Sequence, residues 1–112
     1  MESDFRSRKI KFKAWDKENR LLMRLNSIEC NKGELLKKGH ILLQFTGLLD
    51  QEGDEIYEMD ILLISSEKHL VFWNEELGAW FYSPLGRRDQ KQPLLASQSE
   101  KMRRFCSYFE LS

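Results

Sequence analysis

The sequence predicts a single β-rich domain, all-β or β-rich α+β, built as a small barrel or sandwich of short antiparallel strands. Turn-forming residues recur about every ten positions along the chain, which is typical of an all-β fold. Thirteen aromatic residues stand against only three alanines, and this composition favours strands over a helical bundle. A chain of 112 residues supports one hydrophobic core and lacks the surface to bury for a second.

The first predicted strand covers residues 9–14, where lysines alternate with apolar residues. This period of two is typical of a half-buried strand, with one apolar face and one basic face. The inward residues are Ile10, Phe12 and Ala14, and the outward residues are Lys9, Lys11 and Lys13. The preceding residues 1–8 are polar and predict a flexible N-terminus. Residues 16–19 predict a turn, after which residues 21–25 return as the partner strand.

A second apolar strand is predicted at residues 41–45, and Thr46 and Gly47 bring it to an end. Residues 50–54 predict a tight turn, because their glycine can adopt the positive φ that such turns need. Residues 29–40 combine two glycines with mixed charges. This pattern fits a loop and a short helical turn equally well.

The second half of the chain begins with residues 61–64, a continuous apolar run typical of a strand buried on both faces. Residues 69–73 and 79–82 flank an acidic loop that ends in glycine, which predicts a β-hairpin. Residues 83–99 contain two prolines and many polar residues, and they predict a long exposed loop. Residues 102–111 are ambiguous, because the spacing of their aromatics favours a helix and their aromatic content favours a strand.

The predicted strands place large apolar side chains in one core. Alternation along the strands and the high aromatic content motivate this set. Its expected members are Phe12, Trp15, Phe45, Tyr57, Ile61, Leu63 and Trp73.

The formal net charge is zero, with 18 basic and 18 acidic residues, so a strongly basic nucleic-acid binder is not indicated. The charge is uneven along the chain, however. Residues 1–40 and 83–112 are net basic, whereas residues 41–82 are net acidic. Two interpretations stay open: the termini pair with the middle as neighbouring strands, or the surface is bipolar and meets a partner.

Cysteine usage and the lack of long apolar segments indicate a cytoplasmic location. Cys30 and Cys106 do not have the spacing of a disulfide framework, which indicates two reduced thiols. Residues 1–10 are charged and lack the apolar segment of a signal peptide. The apolar runs are far shorter than the roughly 20 residues needed to span a bilayer. We therefore expect a cytoplasmic protein with no membrane partner.

Motifs for the common chemistries are missing from the sequence. The acidic segment 50–60 fails the EF-hand pattern, because Glu55 and Ile61 occupy the positions that require Gly and Glu. The two histidines and two cysteines are too widely separated to indicate a zinc site. No G-x-S-x-G, P-loop or G-x-G-x-x-G motif occurs. We expect a protein that is not an enzyme, with no catalytic residue, no cofactor and no metal.

Several segments resemble YopX-type phage proteins. Residues 10–19 are similar to the family's Ile/Lys-Phe-Arg-Ala-Trp-Asp opening. Residues 43–61 resemble its central signature, Gln-Tyr-Thr-Gly-Leu-x-Asp-x-x-Gly-x-x-Ile-Tyr-Glu-Gly-Asp-Ile. Residues 71–73, which precede an acidic turn with glycine, and residues 100–111 also fit the family. The resemblance covers most of the chain outside residues 1–8, 25–40 and 83–99.

The resemblance implies a small β-rich domain over residues 9–112, from a bacterium, a phage or a mobile element. It makes the last segment a strand rather than a helix, and it implies no enzyme activity, cofactor or catalytic residue. The sequence departs from the family pattern at two points. Met59 stands where the family has glycine, and Arg103-Arg104 stand where it has Gly-Asn.

The residues of these motifs are assigned to architecture rather than catalysis. Asp and Thr side chains satisfy turn N–H groups, Gly allows turn dihedrals, and large rings fill the core. The motif residues are Trp15, Asp16, Gln44, Thr46, Gly47, Asp50, Gly53, Tyr57 and Asp60.

Basic residues form the candidate contact surface for a protein partner or for nucleic acid. They are Lys9, Lys11, Lys13, Arg87, Arg88, Arg103 and Arg104. Small barrels bind single strands with a basic groove and stacking aromatics, whereas outward lysines also protect edge strands from aggregation. We predict a non-enzymatic accessory protein of phage or mobile-element origin, acting as an interaction module for another protein or a second copy of itself. The alternative is a weak, sequence-tolerant binder of single-stranded nucleic acid.

Overall fold

The computed structural model describes residues 8–111. Of the residues 1–8 that are predicted to be flexible, residues 1–7 lie outside this range. Eleven strands and one four-residue α-helix form the regular structure of residues 8–111, and the predicted β-rich single domain is confirmed. The strands are β1 (Phe12–Asp16), β2 (Leu21–Arg24), β3 (Glu29–Asn31), β4 (Glu34–Leu36), β5 (His40–Leu49), β6 (Glu55–Tyr57), β7 (Asp60–Ile64), β8 (Glu67–Asn74), β9 (Ala79–Pro84), β10 (Gln92–Pro93) and β11 (Arg103–Ser107). The helix is α1 (Ala96–Ser99), and 3-10 turns occupy Arg88–Gln90 and Tyr108–Glu110.

Two antiparallel sheets carry most of these strands. The first has the order β2-β1-β5-β6, and the second has the order β10-β9-β8-β7-β11. The predicted hairpins, residues 9–14 with 21–25 and residues 69–73 with 79–82, are present as β1–β2 and β8–β9. The last segment contains β11 paired with β7, which confirms the strand that the family resemblance implies.

Residues 29–40 form neither the loop nor the helical turn that the sequence predicts. The structure contains the separate β3–β4 hairpin there. Lys32 and Gly33 both have positive φ, 53° and 84°, so they make the two-residue turn that matches the twist of paired strands. The strands are short and mostly exposed, and they therefore lack the apolar alternation by which a strand is predicted.

The core lies between the two sheets and draws residues from both. Its buried cluster is Ile56, Leu62, Val71, Tyr82, Leu94 and Met102. Among the expected core residues, Trp15, Phe45, Tyr57 and Ile61 are buried, and Phe12 and Leu63 are half-buried.

Two inward assignments are wrong. Trp73 is 42% exposed, because it pairs with Trp80 close to the turn of the β8–β9 hairpin, outside the buried cluster. Ile10 is 59% exposed, because β1 begins only at Phe12.

Strand β5 does not end at Thr46 and Gly47 as predicted, but continues to Leu49. Its register against β6 shifts between Phe45 and Leu49, which marks a β-bulge. Gly47 has a φ of 88° within this bulge, and the Thr46 hydroxyl donates a hydrogen bond to the Ile56 carbonyl at 2.8 Å. The Thr-Gly pair therefore bends a strand rather than closing one.

The predicted long loop at residues 83–99 is largely ordered into short elements. It contains the end of β9, a 3-10 turn, β10 and α1. Leu94 is buried in the core cluster, and its backbone N–H donates to the Trp80 carbonyl at 2.9 Å. A buried leucine thus anchors a segment whose prolines and polar residues predict an exposed loop.

Met59 occupies the turn between β6 and β7 with a φ of 66°. Its N–H donates to the Val71 carbonyl at 2.8 Å, and its carbonyl accepts from the Tyr108 N–H at 2.7 Å. The turn therefore keeps the backbone conformation that glycine favours, although a side chain is present.

Candidate interaction cleft

A cleft of about 720 Å³ opens beside the β5 bulge and is called here the Trp80 cleft. Its apolar lining comes from Ile10, Phe45, Leu49 and Trp80. Four of the motif residues assigned to architecture also line it: Gln44, Thr46, Gly47 and Gly53. The longest motif of the sequence thus lies at this cleft.

Gly47 helps to form the Trp80 cleft by lacking a side chain. A Cβ atom at this position would meet no atom within 4 Å. Phe45 and Leu49 flank Gly47 along β5, and all three residues line the cleft. The bulge therefore leaves open space between two apolar side chains.

Apolar groups at the Trp80 cleft are exposed to solvent. Ile10 is 59% exposed and Leu49 is 46% exposed. Trp80 is half-buried and packs edge-on against the exposed Trp73, with ring centroids 5.0 Å apart and an interplanar angle of 71°. Clustered exposed apolar side chains of this kind mark interaction surfaces on small domains.

The charged groups at the Trp80 cleft leave an excess of positive charge. Arg8 and Lys9 line it and are exposed. Glu55 also lines it, but its carboxylate accepts a hydrogen bond from the Lys11 ammonium at 2.6 Å. This lysine holds the pKa of Glu55 below its usual value, so the Glu55 charge is already compensated.

A second cleft of about 540 Å³ adjoins the Trp80 cleft and shares Ile10 and Glu55 with it. Its apolar lining includes Leu25, Ile28 and Leu35, which belong to β4 and the segment after β2. The apolar surface around Ile10 therefore extends from the β5 bulge towards the β3–β4 hairpin.

A third cleft, of about 470 Å³, brings two of the candidate basic residues together. Its lining includes Lys13, Arg24, Asp54, Glu55, Tyr57 and Arg104. The Lys13 ammonium lies 4.4 Å from the centroid of the Tyr57 ring. Burial, followed by the nearby Arg104 charge, lowers the pKa of Lys13. Burial and a hydrogen bond to Glu55 raise the pKa of Tyr57 to about 12.

Arg104 forms an ion pair with the buried Asp60, which joins β11 to β7. Its Nε donates to Asp60 Oδ2 at 2.8 Å, and the Tyr57 N–H donates to the same oxygen at 2.8 Å. Burial raises the pKa of Asp60 although Arg104 opposes that shift. Burial alone would lower the pKa of Arg104, but the Asp60 carboxylate raises it. The positive charge of Arg104 is therefore compensated within the domain by the Asp60 carboxylate.

The other candidate basic residues lie on separate elements. Lys9 is at the Trp80 cleft, and Arg103 is exposed on β11. Arg87 and Arg88 follow β9, where the Arg88 guanidinium lies 4.9 Å from the centroid of the Phe72 ring. The seven basic residues are therefore distributed over the start of the domain, the turn after β9 and β11.

Asp50 holds the turn of the central signature through its buried carboxylate. This group accepts hydrogen bonds from the backbone N–H of Glu52 at 2.8 Å, Asp54 at 2.9 Å and Arg104 at 2.7 Å. Burial alone would raise the pKa of Asp50, but these donors lower it below its usual value. The carboxylate thus ties the 50–54 turn to β11.

Other motif residues make similar local contacts. The Trp15 ring stacks on Phe109 with centroids 5.5 Å apart. Asp16 accepts hydrogen bonds from the side chain and backbone of Asn19, and these bonds lower the pKa of Asp16. Gly53 has a φ of 82°, as its turn requires.

Metal and thiol chemistry have little support within the described chain. Among residues 8–111, no three His, Cys, Asp or Glu side chains lie close enough to hold a metal ion. Cys30 and Cys106 are unpaired, and burial raises the pKa of the Cys106 thiol, which lowers its thiolate fraction. In the same range no helix is long and apolar enough to cross a membrane.

Local sequence patterns do not mark the apolar side chains that form the Trp80 cleft. They indicate no surface role for Leu49 and Trp80, and they place Ile10 on the inward face of the first predicted strand. One available signal is Gly47, since glycine inside an apolar strand often marks a bulge or an opening. The meeting of Ile10 with β5 and β9 depends on tertiary structure, which no local pattern reports.

The fold has a counterpart among solved structures. The crystal structure of protein EF1440 from Enterococcus faecalis is similar, with a TM-score of 0.67 and 20% sequence identity over 93% of this chain and 96% of that chain. At this identity the likeness shows the fold alone. No curated protein matches the sequence. The family model described as YopX protein matches residues 23–102, which include β5 to β9 and therefore most of the Trp80 cleft. Because this match covers more than half of the chain, the protein belongs to the YopX protein family.

Proposed function

We propose that this YopX family member is a non-enzymatic accessory protein that acts as a protein-interaction module through the Trp80 cleft. The resemblance of its motifs to phage proteins supports an origin in a phage or mobile element. Two unpaired cysteines support a cytoplasmic location in the bacterial host. The signature carboxylates support an architectural role, because Asp16 and Asp50 are engaged by backbone N–H groups.

The exposed apolar side chains at the Trp80 cleft are the observation that carries this proposal. Covering such surface contributes about 25 cal/mol for each Å² removed from water. A cleft beside two packed tryptophan rings also offers a concave, partly apolar site of the kind in which interface hot spots concentrate. Ile10, Leu49 and Trp73 gain this burial only when another molecule covers them.

The contacts of the lysines favour a protein partner over nucleic acid. Lys11 is engaged by Glu55, and Lys13 is half-buried against the Tyr57 ring. Arg104 is held by Asp60. Each phosphate contact by these residues would therefore replace an existing interaction.

Capture of partners by the tagged full-length chain tests this proposal. Leu49→Glu places a carboxylate in the Trp80 cleft, so bound protein should fall by about tenfold or more, as truncation of interface hot spots does. Quantitative mass spectrometry of the captured proteins, including copies of the chain itself, would measure the change.

Leu95→Glu is the matched control, because Leu95 is also exposed but does not line the Trp80 cleft. This variant should retain the partners that Leu49→Glu loses. Both variants must keep the circular dichroism spectrum of the parent chain. Identical sets of captured proteins from the parent and Leu49→Glu would contradict the proposal.

The alternative function, weak binding of single-stranded nucleic acid, is favoured by one arrangement. Lys13, Arg24 and Arg104 line the third cleft beside Tyr57, and a cationic cleft with an aromatic ring is a known way to hold single strands. Asp54 and Glu55 line the same cleft and offset its charge.

A further inference from the structure

We infer that the Trp80 cleft receives the tip of the β8–β9 hairpin from a second copy of this chain, which gives a two-fold symmetric dimer. The hairpin tip is the turn at residues 74–78. This inference rests on the proposed function, because it names the partner of the same surface.

The hairpin tip presents one apolar side chain between acidic ones. Leu77 is 61% exposed, the highest value among the large apolar residues reported for residues 8–111. Glu75 and Glu76 precede it and are exposed. Glycine follows at position 78 with a φ of 60°. The tip therefore combines a hydrophobic side chain with two negative charges.

Hydrogen bonds order the hairpin tip before any partner binds. The Leu77 N–H donates to Asn74 Oδ1 at 3.0 Å, and the Gly78 N–H donates to the Asn74 carbonyl at 2.8 Å. A turn fixed in this way loses little conformational entropy on docking. It can therefore present Leu77 as a preformed anchor.

The Trp80 cleft matches the hairpin tip in both polarity and charge. Its apolar lining offers burial to the exposed leucine. Arg8 and Lys9 supply the two positive charges that face the two glutamates of the tip. Because Glu55 is already paired with Lys11, it does not oppose the incoming acidic residues.

Hairpin tip and cleft lie at the same end of the molecule. Trp80, which lines the cleft, follows Leu77 by only three residues, a span of roughly 10 Å at most. A two-fold interface requires each copy to present both complementary features on one surface. Two copies facing each other across such an axis would insert both tips at once and cover the exposed Trp73.

Sedimentation velocity of the full chain over a concentration series tests the dimer. We expect the parent to convert from monomer to dimer as its concentration rises. Leu77→Ala should weaken this association by about tenfold, because the anchor loses most of its apolar surface. Leu85→Ala is the control at an exposed leucine that does not line the cleft, and it should leave the association unchanged.

Charge reversal tests the pairing of hairpin tip with cleft directly. Glu75→Lys with Glu76→Lys, and separately Arg8→Glu with Lys9→Glu, should each weaken the dimer by about tenfold or more through like-charge repulsion. An equal mixture of the two double variants should restore it, because both tip-to-cleft contacts in the mixed dimer are again complementary. Asp89→Lys with Glu100→Lys changes the net charge equally at exposed sites elsewhere and should keep the parent's affinity.

The outcomes separate this inference from the proposed function. A parent chain that stays monomeric, while Leu49→Glu still abolishes capture of a different protein, overturns the dimer and leaves the proposed function standing. A parent that stays monomeric without any cleft-dependent capture overturns both. A dimer that survives both charge reversals overturns the pairing of tip and cleft. Restoration by the mixed variants supports the inference, since a general change in net charge cannot produce it.

Discussion

Arg104 stabilises the domain by forming an ion pair with the buried carboxylate of Asp60. The family pattern has a small polar residue at this place, whereas this chain has an arginine whose Nε lies 2.8 Å from Asp60 Oδ2. An ionised carboxylate that loses its partner inside a protein costs several kcal/mol. Arg104 therefore belongs to the fold, although its charge predicts a surface role.

Arg104→Ala should destabilise the protein by about 3–5 kcal/mol at neutral pH, because Asp60 stays buried without its partner. Without the guanidinium, the pKa of Asp60 rises further above its unfolded value of about 3.9. The destabilisation is thus greatest where Asp60 is ionised in both folded proteins, and it shrinks as the pH falls through their folded-state pKa values, which both lie above the unfolded value. Urea unfolding at several pH values would measure both effects.

Arg103→Ala is the control for this prediction, since Arg103 is the exposed neighbour on the same strand. We expect its effect to stay within about 0.5 kcal/mol, as at most surface positions. Equal losses for the two variants, or a loss at Arg104 that does not depend on pH, would contradict the assigned ion pair.

Met59 holds a backbone conformation that its side chain opposes. A φ of 66° lies in the left-handed region, which costs an ordinary L-residue about 1–2 kcal/mol and glycine almost nothing. The hydrogen bonds of Met59 to Val71 and Tyr108 fix this conformation from both sides. The structure thus keeps the family's turn where the sequence departs from the family's glycine.

Met59→Gly and Met59→Ala should differ in stability, with glycine the more stable of the two, although alanine is usually more stabilising than glycine. Both variants lose the methionine side chain, so the pair isolates the backbone contribution. We expect the glycine variant to be more stable than the alanine variant by about 1 kcal/mol. Denaturant midpoints at unchanged slope would show this difference. A more stable alanine variant would mean that the backbone at position 59 is not left-handed.

The turn between β7 and β8 also places residues other than glycine at positive φ. Ile64 pairs directly with Glu67, so Ser65 and Ser66 form a two-residue turn, with φ values of 51° and 68°. Such turns favour Asn-Gly, because both residues need positive φ. Two serines are therefore an unfavourable choice at the hairpin that joins two core strands.

Ser65→Asn combined with Ser66→Gly should stabilise the domain by about 1 kcal/mol, because both new residues tolerate the left-handed region better than serine. Thermal unfolding followed by circular dichroism would detect the rise. Ser66→Val provides the opposite case, since a β-branched residue at positive φ should lower stability. A loss of stability in the Asn-Gly variant would show that the β7–β8 turn has another geometry.

Elements with a strong local signal could be predicted, and elements fixed by tertiary contacts could not. The hairpin around residues 74–78 follows from apolar runs and a glycine turn, and the structure contains it as β8–β9. The β3–β4 hairpin has exposed strands and no such alternation. Leu94 lies in a polar and proline-containing segment, yet it is buried against residues distant in sequence. Its burial depends on the assembled sheets rather than on its neighbours.

The distribution of charge over the whole molecule resolves one of the open interpretations. The basic N-terminal part pairs with the acidic middle through β1–β5 and the Lys11–Glu55 contact. The basic C-terminal part pairs with it through β11–β7 and the Arg104–Asp60 contact. The uneven linear charge is thus partly neutralised by strand pairing, which is the first of the two interpretations that the sequence leaves open. The Trp80 cleft has no signature in the sequence, because it is built by residues from separate strands that meet only in the fold.

The net charge of the whole molecule bears on the alternative function, binding of single-stranded nucleic acid. Phosphate binding releases counterions, so log affinity for a single strand falls with log salt by about 0.7 for each phosphate contact. A net charge of zero gives little long-range attraction to phosphate, and Lys11 and Lys13 are already engaged by Glu55 and Tyr57. We therefore expect fluorescence anisotropy with labelled single-stranded DNA to show negligible binding, even at low salt.

The variant that replaces Lys9, Lys11 and Lys13 with Gln makes this prediction decisive. Under the proposed function it should bind no more and no less DNA than the parent. Under the alternative, the parent should bind with a salt slope of several phosphate contacts, and the variant should lose up to about three contacts from that slope. Because Lys11→Gln also removes the contact with Glu55, urea unfolding must first show that the variant is folded under the assay conditions.

Clear salt-dependent binding by the parent that the folded variant loses would contradict the proposed interaction module and support the nucleic-acid binder instead. Absence of binding by both proteins would remove that alternative, because the segment that carries Lys9, Lys11 and Lys13 would then have no measurable affinity for phosphate.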